Sequence, residues 1–304
     1  MLNTTIMKKM FQIMVGLLAM TILASLSGCK MIVLDPQGLI AHQENRLLII
    51  AVILLMIIVL PTIIISCLVA YKYRASNAKA KYTPNWAHNN LLEIAWWIAP
   101  IVICAILGTV IWKSTHKLDP YKPLVSTVKP VKVQVVSLQW RWLFIYPQQG
   151  IATINYLKVP EKTPIDISLT ADSPMNAFQV PQLGGQIYTM AGMKTKLHLI
   201  SDHRGIYSGR SVSFSGEGFE GMIFKTHVVS RKAFDRWVHT VKQRKNPLSL
   251  AVYKKLMAPN TDSRIKFYSS VRHNLFNTIM MQYMNPRTYK LLNSGSSVKN
   301  IEYK

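Results

Sequence analysis

The residues that could form a covalent bond or bind a soft metal are few in this sequence, and the three cysteines are the most informative of them. Cys29, Cys67 and Cys104 all lie in the first part of the 304 residues. A cysteine can be acylated, form a disulfide or bind a metal such as copper. Because no thiol follows Cys104, the rest of the chain can hold neither a disulfide framework nor a cysteine-ligated metal.

The other candidate ligands are isolated. His198 and His203 are five residues apart, with no carboxylate or cysteine at a ligand spacing, so we interpret them as surface residues. Met280, Met281 and Met284 favour packing over copper binding, because methionine mostly fills gaps in cores. No Ser/His/Asp arrangement, phosphate-binding loop or pair of carboxylates is legible. The sequence therefore predicts no catalytic residue in this chain.

Cys29 follows a segment typical of a signal peptide. Two lysines precede a largely apolar stretch over residues 10–26, and Leu26-Ser27-Gly28-Cys29 follows at its end. This tetrapeptide resembles the lipobox of bacterial lipoproteins, in which the cysteine is diacylated on sulfur and the preceding peptide is removed. The resemblance implies a signal peptide over residues 1–28 and a lipid anchor on Cys29. The alternative is a first transmembrane helix with a chance cysteine.

The elements that must position these residues include two long apolar runs. Residues 47–70 and 94–112 carry no charge, and about 20 apolar residues suffice to cross a bilayer. Each run contains one proline, Pro61 or Pro100, which a spanning helix tolerates with a kink. We therefore predict a hairpin of transmembrane helices over residues 47–70 and 93–113.

The connection between these helices, residues 71–92, is basic. Its cations are Lys72, Arg74, Lys79 and Lys81. The first acid after them is Glu93. The positive-inside rule makes this connection cytoplasmic. Residues 29–46 and the chain beyond residue 113 then lie on the periplasmic side, where a lipid on Cys29 must also lie.

The composition agrees with a membrane protein. Half of the residues are hydrophobic, 16% are charged, and the formal net charge is +23. Together with the long apolar runs, this excludes a disordered chain and an ordinary soluble domain. The cations are spread along the chain without a nucleic-acid-binding motif, so we expect no nucleic acid partner.

Beyond residue 128 the pattern changes to short stretches rich in β-branched and aromatic residues, separated by turns with proline and glycine. Residues 114–230 are therefore predicted to form an all-β sandwich or barrel. In its first strand the apolar alternation changes phase at Val136, which suggests a β-bulge near Val135. Residues 231–304 are predicted to be a helical extension, with no strand after Ser230.

Four separated segments carry a family resemblance. They are Trp86 with Glu93-Ile94-Ala95-Trp96-Trp97-Ile98-Ala99-Pro100, Gln139-Trp140-Arg141-Trp142-Leu143-Phe144-Ile145-Tyr146-Pro147, Val180-Pro181-Gln182-Leu183-Gly184-Gly185-Gln186-Ile187-Tyr188, and residues 216–222. In this order, after a lipobox and a two-helix hairpin, they resemble subunit II of the haem-copper oxidases, in its cytochrome bo-type ubiquinol oxidase branch. The resemblance implies a fold of the membrane α plus all-β class, with a cupredoxin-like sandwich after the hairpin. It also implies that subunit I and other membrane subunits are the partners, and that subunit I holds the haems, copper and ubiquinol.

The cytochrome c oxidase branch of this family binds a dinuclear copper centre in the sandwich. Its ligands are a histidine, a cysteine, a glutamate carbonyl, a second cysteine, a second histidine and a methionine, and the soft thiolates bridge the coppers. The corresponding positions here, in the same order, are Asn176, Ser211, Ser213, Ser215, Phe219 and Met222. Only Met222 keeps the ligand type, and a lone methionine more often packs. The resemblance therefore implies a sandwich without metal and no cofactor in this chain.

The family also suggests roles for Trp140, Trp142 and Glu93. In the copper branch the tryptophan-rich turn forms part of an electron-entry patch, but without a redox centre we expect Trp140 and Trp142 to be core or subunit-contact residues. A glutamate at the start of the second helix lies at the cytoplasmic mouth of a proton-uptake pathway of subunit I. Glu93 is thus a candidate proton-collecting carboxylate, and the alternative is an acid that favours the helix N-terminus.

The sequence therefore predicts the lipid-anchored, copper-free second subunit of a bacterial inner-membrane ubiquinol oxidase. Such a complex oxidises ubiquinol, reduces dioxygen to water and moves protons outward, and this subunit would support subunit I without being catalytic. Two alternatives stay open. One is a lipid-anchored periplasmic scaffold or receptor outside respiration, and the other is a copper-containing cytochrome c oxidase subunit.

Overall fold

The computed structural model describes residues 32–285 apart from 79, 82 and 85–87, together with residues 287 and 290. The predicted signal peptide, Cys29 and Trp86 lie outside the described residues.

Two long helices lead the chain. A short 3-10 turn, Ile32–Leu34, precedes helix α1, Leu39–Lys72, and helix α2 is Asn90–Lys117. Each helix is long and apolar enough to cross a membrane, and its most apolar window of 18 residues is not buried within the chain. Both helices extend beyond the predicted spans, because polar residues continue the helical hydrogen bonding past the apolar part. Asn89 caps the start of α2, because its side chain accepts a hydrogen bond from the Leu92 amide at 3.2 Å.

A β-sandwich follows the helices. Its strands are β1 Val131–Leu138, β2 Arg141–Tyr146, β3 Ile151–Ile154, β4 Tyr156–Pro160, β5 Ile165–Ala171, β6 Asn176–Val180, β7 Gly184–Thr189, β8 Thr195–Leu199, β9 Gly205–Ser211 and β10 Ile223–Val229. One sheet has the order β3-β2-β1-β5-β8 and the other β4-β10-β9-β6-β7. Their inner faces meet in a core that contains Trp142, Phe144, Phe178 and Phe224. The predicted fold class is therefore confirmed.

The first strand is regular, so the predicted bulge near Val135 is wrong. Strand β1 pairs without a register shift with both β2 and β5. Val133 and Val135 face the core between the sheets, whereas Val136 and Leu138 belong to a second core on the outer face of the same sheet. The apolar pattern changes phase because both faces of the strand are covered.

The extension that covers this outer face begins at residue 231. It contains helices α3 Arg231–Lys242, α4 Leu250–Met257 and α5 Leu275–Met284, and short strands β11 Pro247–Leu248, β12 Lys266–Tyr268 and β13 Ser270–Val271. Strand β12 pairs antiparallel with β3 and thereby extends the first sheet. The prediction that strands stop at Ser230 is therefore wrong, because strands of two or three residues are too short to show an alternation. Tyr253, Leu256, Phe276 and Ile279 fill the second core.

The sandwich is bound directly to the N-terminal end of α1. The Gln37 amide donates to the Gln182 carbonyl at 2.7 Å, and the Ala41 amide donates to the Leu183 carbonyl at 3.3 Å. Between them Gly38 lies so close to the backbone that a Cβ there would be 2.9 Å from the Leu183 carbonyl oxygen. The segment around Gln182 thus holds the sandwich at a fixed place above the helix.

Candidate functional site

The positions predicted as lost copper ligands lie at one end of the sandwich, where β6 begins, β9 ends and residues 212–222 return to β10. The Ser211 hydroxyl donates a hydrogen bond to Asn176 Oδ1 at 3.0 Å, and both residues are buried. Asn176 Nδ2 in turn donates to the Pro174 carbonyl at 2.9 Å and to Ser173 Oγ at 3.2 Å. The Asn176 amide is therefore held by protein hydrogen bonds on both of its polar atoms.

The backbone of residues 212–222, the loop between β9 and β10, closes over Asn176 and Ser211. The Ser211 amide donates to the Met222 carbonyl at 3.1 Å, and the Ser211 hydroxyl also lies 3.3 Å from the Ser213 carbonyl. The Met222 side chain is buried in the core between the sheets. Ser215 Oγ is buried and has no hydrogen-bond partner among the described residues.

Phe219 differs from the other positions. Its ring packs edge to face against Phe214, with centroids 5.6 Å apart, and Phe214 is 79% exposed. Its backbone forms a 3-10 turn, Phe219–Gly221. The structure thus brings Asn176, Ser211 and Ser213 together beside Met222, while the Phe219 ring belongs to an aromatic pair at the surface.

The donor set does not fit a dinuclear copper centre. Two coppers at bonding distance need soft bridging thiolates, and the positions that would supply them hold Ser211 and Ser215. Ser211 and Asn176 already bind each other at 3.0 Å. In the part of the chain that the structure describes, no group of three or more His, Cys, Asp or Glu side chains could hold a metal ion.

The two tryptophans of the turn before β2 have different surroundings. Trp142 is fully buried and packs edge to face against Phe178 and Phe224, with centroids 5.3 Å and 5.8 Å away. Trp140 is half-buried, and its indole Nε1 donates to the Ser215 carbonyl at 3.1 Å. Its ring lies against Gly216, whose φ of +106° suits glycine. Trp140 therefore packs on the outer side of the loop over residues 212–222 and stabilises its conformation.

Glu93 lies in the first turn of α2, at the end of the hairpin that carries the basic connection. Its Oε1 atom is 3.2 Å from His88 Nδ1, and the Glu93 side chain is 40% exposed. The partner His88 was not predicted from the sequence, although a histidine five residues before an acid is within reach of a helix start.

One acid that the sequence reasoning missed is buried. Asp172, 6% exposed, follows β5. Its carboxylate accepts hydrogen bonds from Tyr283 Oη at 2.5 Å, from Gln282 Nε2 at 2.6 Å and from the Tyr253 hydroxyl. Burial, and then the hydrogen bond to Asp172, raise the pKa of Tyr283 to about 12, so its hydroxyl is a donor at neutral pH. All three donors belong to the extension.

Arg141, the first residue of β2, binds the same extension. Its guanidinium Nη2 donates to the Leu256 carbonyl at 2.7 Å and to the Ala258 carbonyl at 3.1 Å, at the end of α4. Free carbonyls at a helix C-terminus favour a cation there. Burial lowers the pKa of Arg141. We call Arg141, Asp172 and their partners the clasp.

The interpretation of His198 as a surface residue is wrong. Its side chain is only 10% exposed and lies 3.5 Å from Asp166 Oδ1, and its Nδ1 is 2.9 Å from the Pro120 carbonyl. The residue thereby connects β8 to the segment after α2. Met280 and Met281 are buried in packing positions, as predicted, whereas Met284 is exposed.

Comparison with known proteins gives consistent matches over most of the chain. Residues 36–112 match the family "Cytochrome C oxidase subunit II, transmembrane domain", and residues 242–287 match the "COX Aromatic Rich Motif". The chain is 48% identical to the cytochrome bo(3) ubiquinol oxidase subunit 2 of Pseudomonas aeruginosa, covering 85% of this chain and 78% of the relative. It is 44% identical to the ubiquinol oxidase subunit 2 of Acetobacter aceti, covering 86% and 85%. A crystal structure of the periplasmic domain of cytochrome oxidase subunit II from Bradyrhizobium japonicum aligns over 44% of this chain and 99% of that chain, at 21% identity and a TM-score of 0.36.

Proposed function

Because this chain belongs to the family of subunit 2 of the cytochrome bo(3)-type ubiquinol oxidases, we propose that it is the second subunit of a proton-translocating ubiquinol oxidase that carries no copper itself. In this proposal it lies in the bacterial inner membrane, with the sandwich on the periplasmic side. It supports subunit I, which holds the haems, the copper and the site of ubiquinol oxidation, and it is not catalytic.

The observation that carries this proposal is the hydrogen bond between Ser211 and Asn176, 3.0 Å long, at two positions where the copper branch has ligands. Oxygen and amide donors that satisfy each other are a stable replacement for a metal in a buried site. A subunit without a relay suits a donor that dissolves in the bilayer, since ubiquinol reaches a membrane subunit without crossing the periplasmic domain.

The test is to purify the complex through a tag on this chain. We expect haem absorption, oxidation of ubiquinol and no oxidation of cytochrome c, together with copper equivalent to subunit I alone. Purification without haem would favour the periplasmic scaffold. Oxidation of cytochrome c with additional copper in the sandwich would favour the cytochrome c oxidase alternative.

A first prediction concerns the lipid anchor on Cys29. Mass spectrometry of the mature chain should find Cys29 at the amino terminus, with acyl chains on its sulfur and its amino group. The variant Cys29→Ser should remain in the membrane fraction, because α1 and α2 anchor the chain independently. Recovery of unprocessed residues before Cys29 from the wild type would contradict the prediction.

A second prediction concerns Glu93, which we propose collects protons at the cytoplasmic side. Its exposed carboxylate lies beside a second titratable group, His88, at 3.2 Å. Glu93→Gln should therefore slow steady-state quinol oxidation severalfold while haem content stays normal. If Glu93 only favours the helix start, its loss costs about 0.3 to 1 kcal/mol of stability and leaves turnover unchanged.

Two control variants separate these roles. Glu93→Asp keeps the charge but shortens the reach by one methylene, so it should retain part of the activity. His88→Gln removes the partner and leaves the carboxylate, so it should slow turnover less than Glu93→Gln. Turnover that is equal in all variants across pH would leave only the structural role.

A further inference from the structure

A cleft of about 870 Å³ lies at the end of α1 that carries the basic connection. One wall consists of Ile65, Leu68 and Val69, which are exposed on the apolar surface of the helix. The rim includes Lys72 and Lys81. We call this feature the α1 cleft, and neither the copper-free sandwich nor the proton-collecting carboxylate uses it.

The rim of the α1 cleft is cationic without compensation. Arg74 lies next to it, with its guanidinium 4.2 Å from the centre of the Tyr71 ring. Lys72 Nζ is 5.6 Å from the centre of the Tyr73 ring. No Asp or Glu occurs between residues 45 and 92. The charges on the rim therefore have no acid of the same segment to neutralise them.

The arrangement of these groups matches an amphipathic ligand. The apolar wall continues into the predicted membrane span, and the cations and tyrosines lie just beyond its end, at the depth where lipid headgroups meet water. Basic pockets at the cytoplasmic side of membrane helices suit anionic headgroups. A net neutral headgroup would leave the two lysines uncompensated.

We propose that the α1 cleft binds one anionic phospholipid, with its acyl chains along Ile65 and Leu68 and its phosphate between Lys72 and Lys81. The inference rests on the cytoplasmic orientation in the proposed function. The proposal goes beyond that function by naming a ligand of this chain. A lipid bound there occupies the surface between α1 and the connection that leads to α2.

The test uses the purified complex and a photoreactive phosphatidylglycerol, with photoreactive phosphatidylcholine in a parallel arm. We expect phosphatidylglycerol to label peptides from residues 65–83, and phosphatidylcholine to label them less at the same concentration. Each substitution, Lys72→Gln or Lys81→Gln, should raise the concentration for half-maximal labelling about fivefold, and the double variant about 25-fold. A matched control is Lys129→Gln with Lys132→Gln, which removes the same charge from the sandwich at exposed positions.

Three results would overturn the proposal: equal labelling by the two lipids, unchanged labelling in the double variant, or the same loss of labelling in the control. Loss of another subunit from the double variant, with lipid labelling unchanged, would assign the cleft to a protein contact instead. Labelling is measured on this chain itself. Absence of haem from the wild-type complex would therefore refute the proposed function, while the labelling of this chain by the two lipids could still be compared.

Discussion

Replacing Asp172 by alanine is expected to loosen the C-terminal extension and to destabilise the sandwich by on the order of 3 to 5 kcal/mol, because it removes three hydrogen bonds to a charged acceptor, each worth about 1.5 to 3 kcal/mol. The variant removes the acceptor of three hydrogen bonds, which come from the Tyr253 and Tyr283 hydroxyls and from Gln282 Nε2. Hydrogen exchange in Leu275–Met284 should therefore become much faster.

Matched variants make this prediction specific to the clasp. Tyr283→Phe removes one hydroxyl and keeps the ring, so it should cost about 1 to 3 kcal/mol. Asp166→Ala removes a carboxylate that is more exposed and lies 3.5 Å from His198, away from the extension, so it should leave exchange in α5 unchanged. Exchange in α5 that is equal in wild type and Asp172→Ala would show that apolar packing alone holds the extension.

The clasp also explains why the outer face of the first sheet needs an extension at all. Val136 and Leu138 of β1 and Leu143 of β2 present apolar side chains there, and Tyr253 and Phe276 cover them. Apolar packing is not directional, whereas the hydrogen bonds of Arg141 and Asp172 place α4 and α5 at defined positions. Because Arg141 directly follows Trp140, the same turn contacts both the extension, at Leu256, and the loop over residues 212–222, at Ser215.

The elements with a strong local pattern could be predicted from the sequence. Charge-free runs of about 20 residues indicate α1 and α2, and turn residues separate most strands of the sandwich. Strand β12 has only three residues, Lys266–Tyr268, and its pairing with β3 is set by tertiary contacts. The phase change at Val136 does not identify its cause, because a strand buried on both faces and a strand with a bulge show the same pattern of apolar residues.

The positions that correspond to copper ligands could be predicted from the sequence, whereas the contacts of Asp172 could not. The family resemblance predicts which positions correspond to copper ligands, because it aligns residues 209–222, whereas the packing of Phe219 on Phe214 at the surface does not follow from an alignment. Asp172 lies 81 residues from Tyr253 and 111 from Tyr283 along the chain. No local spacing in the sequence connects an acid with donors so far along the chain. A single Asp after a strand is typical of a turn, so the contacts of Asp172 could not be predicted.

A copper centre is expected to form when the missing ligand types are restored in the sandwich. The substitutions are Asn176→His, Ser211→Cys, Ser213→Glu, Ser215→Cys and Phe219→His. Positions 176 and 211 are already within hydrogen-bonding distance, with Asn176 Oδ1 and Ser211 Oγ 3.0 Å apart, and the pairing of β6 with β9 fixes their separation. Loss of that hydrogen bond costs about 1 kcal/mol, which is small beside the binding of a metal by thiolates and imidazoles.

The expected result is two coppers per chain above the content of the unmodified complex, with intense thiolate-to-copper absorption. The matched control keeps Ser215 and carries the other four substitutions, so only one thiolate is present and a bridged pair cannot form. Position 219 decides the outcome, because Phe219 packs against Phe214 at the surface, and a histidine in its place must turn inward to bind copper. If the five-fold variant takes up a single copper, like the control, the loop at residue 219 has kept the conformation in which this position packs at the surface, and replacing side chains alone does not build a dinuclear centre.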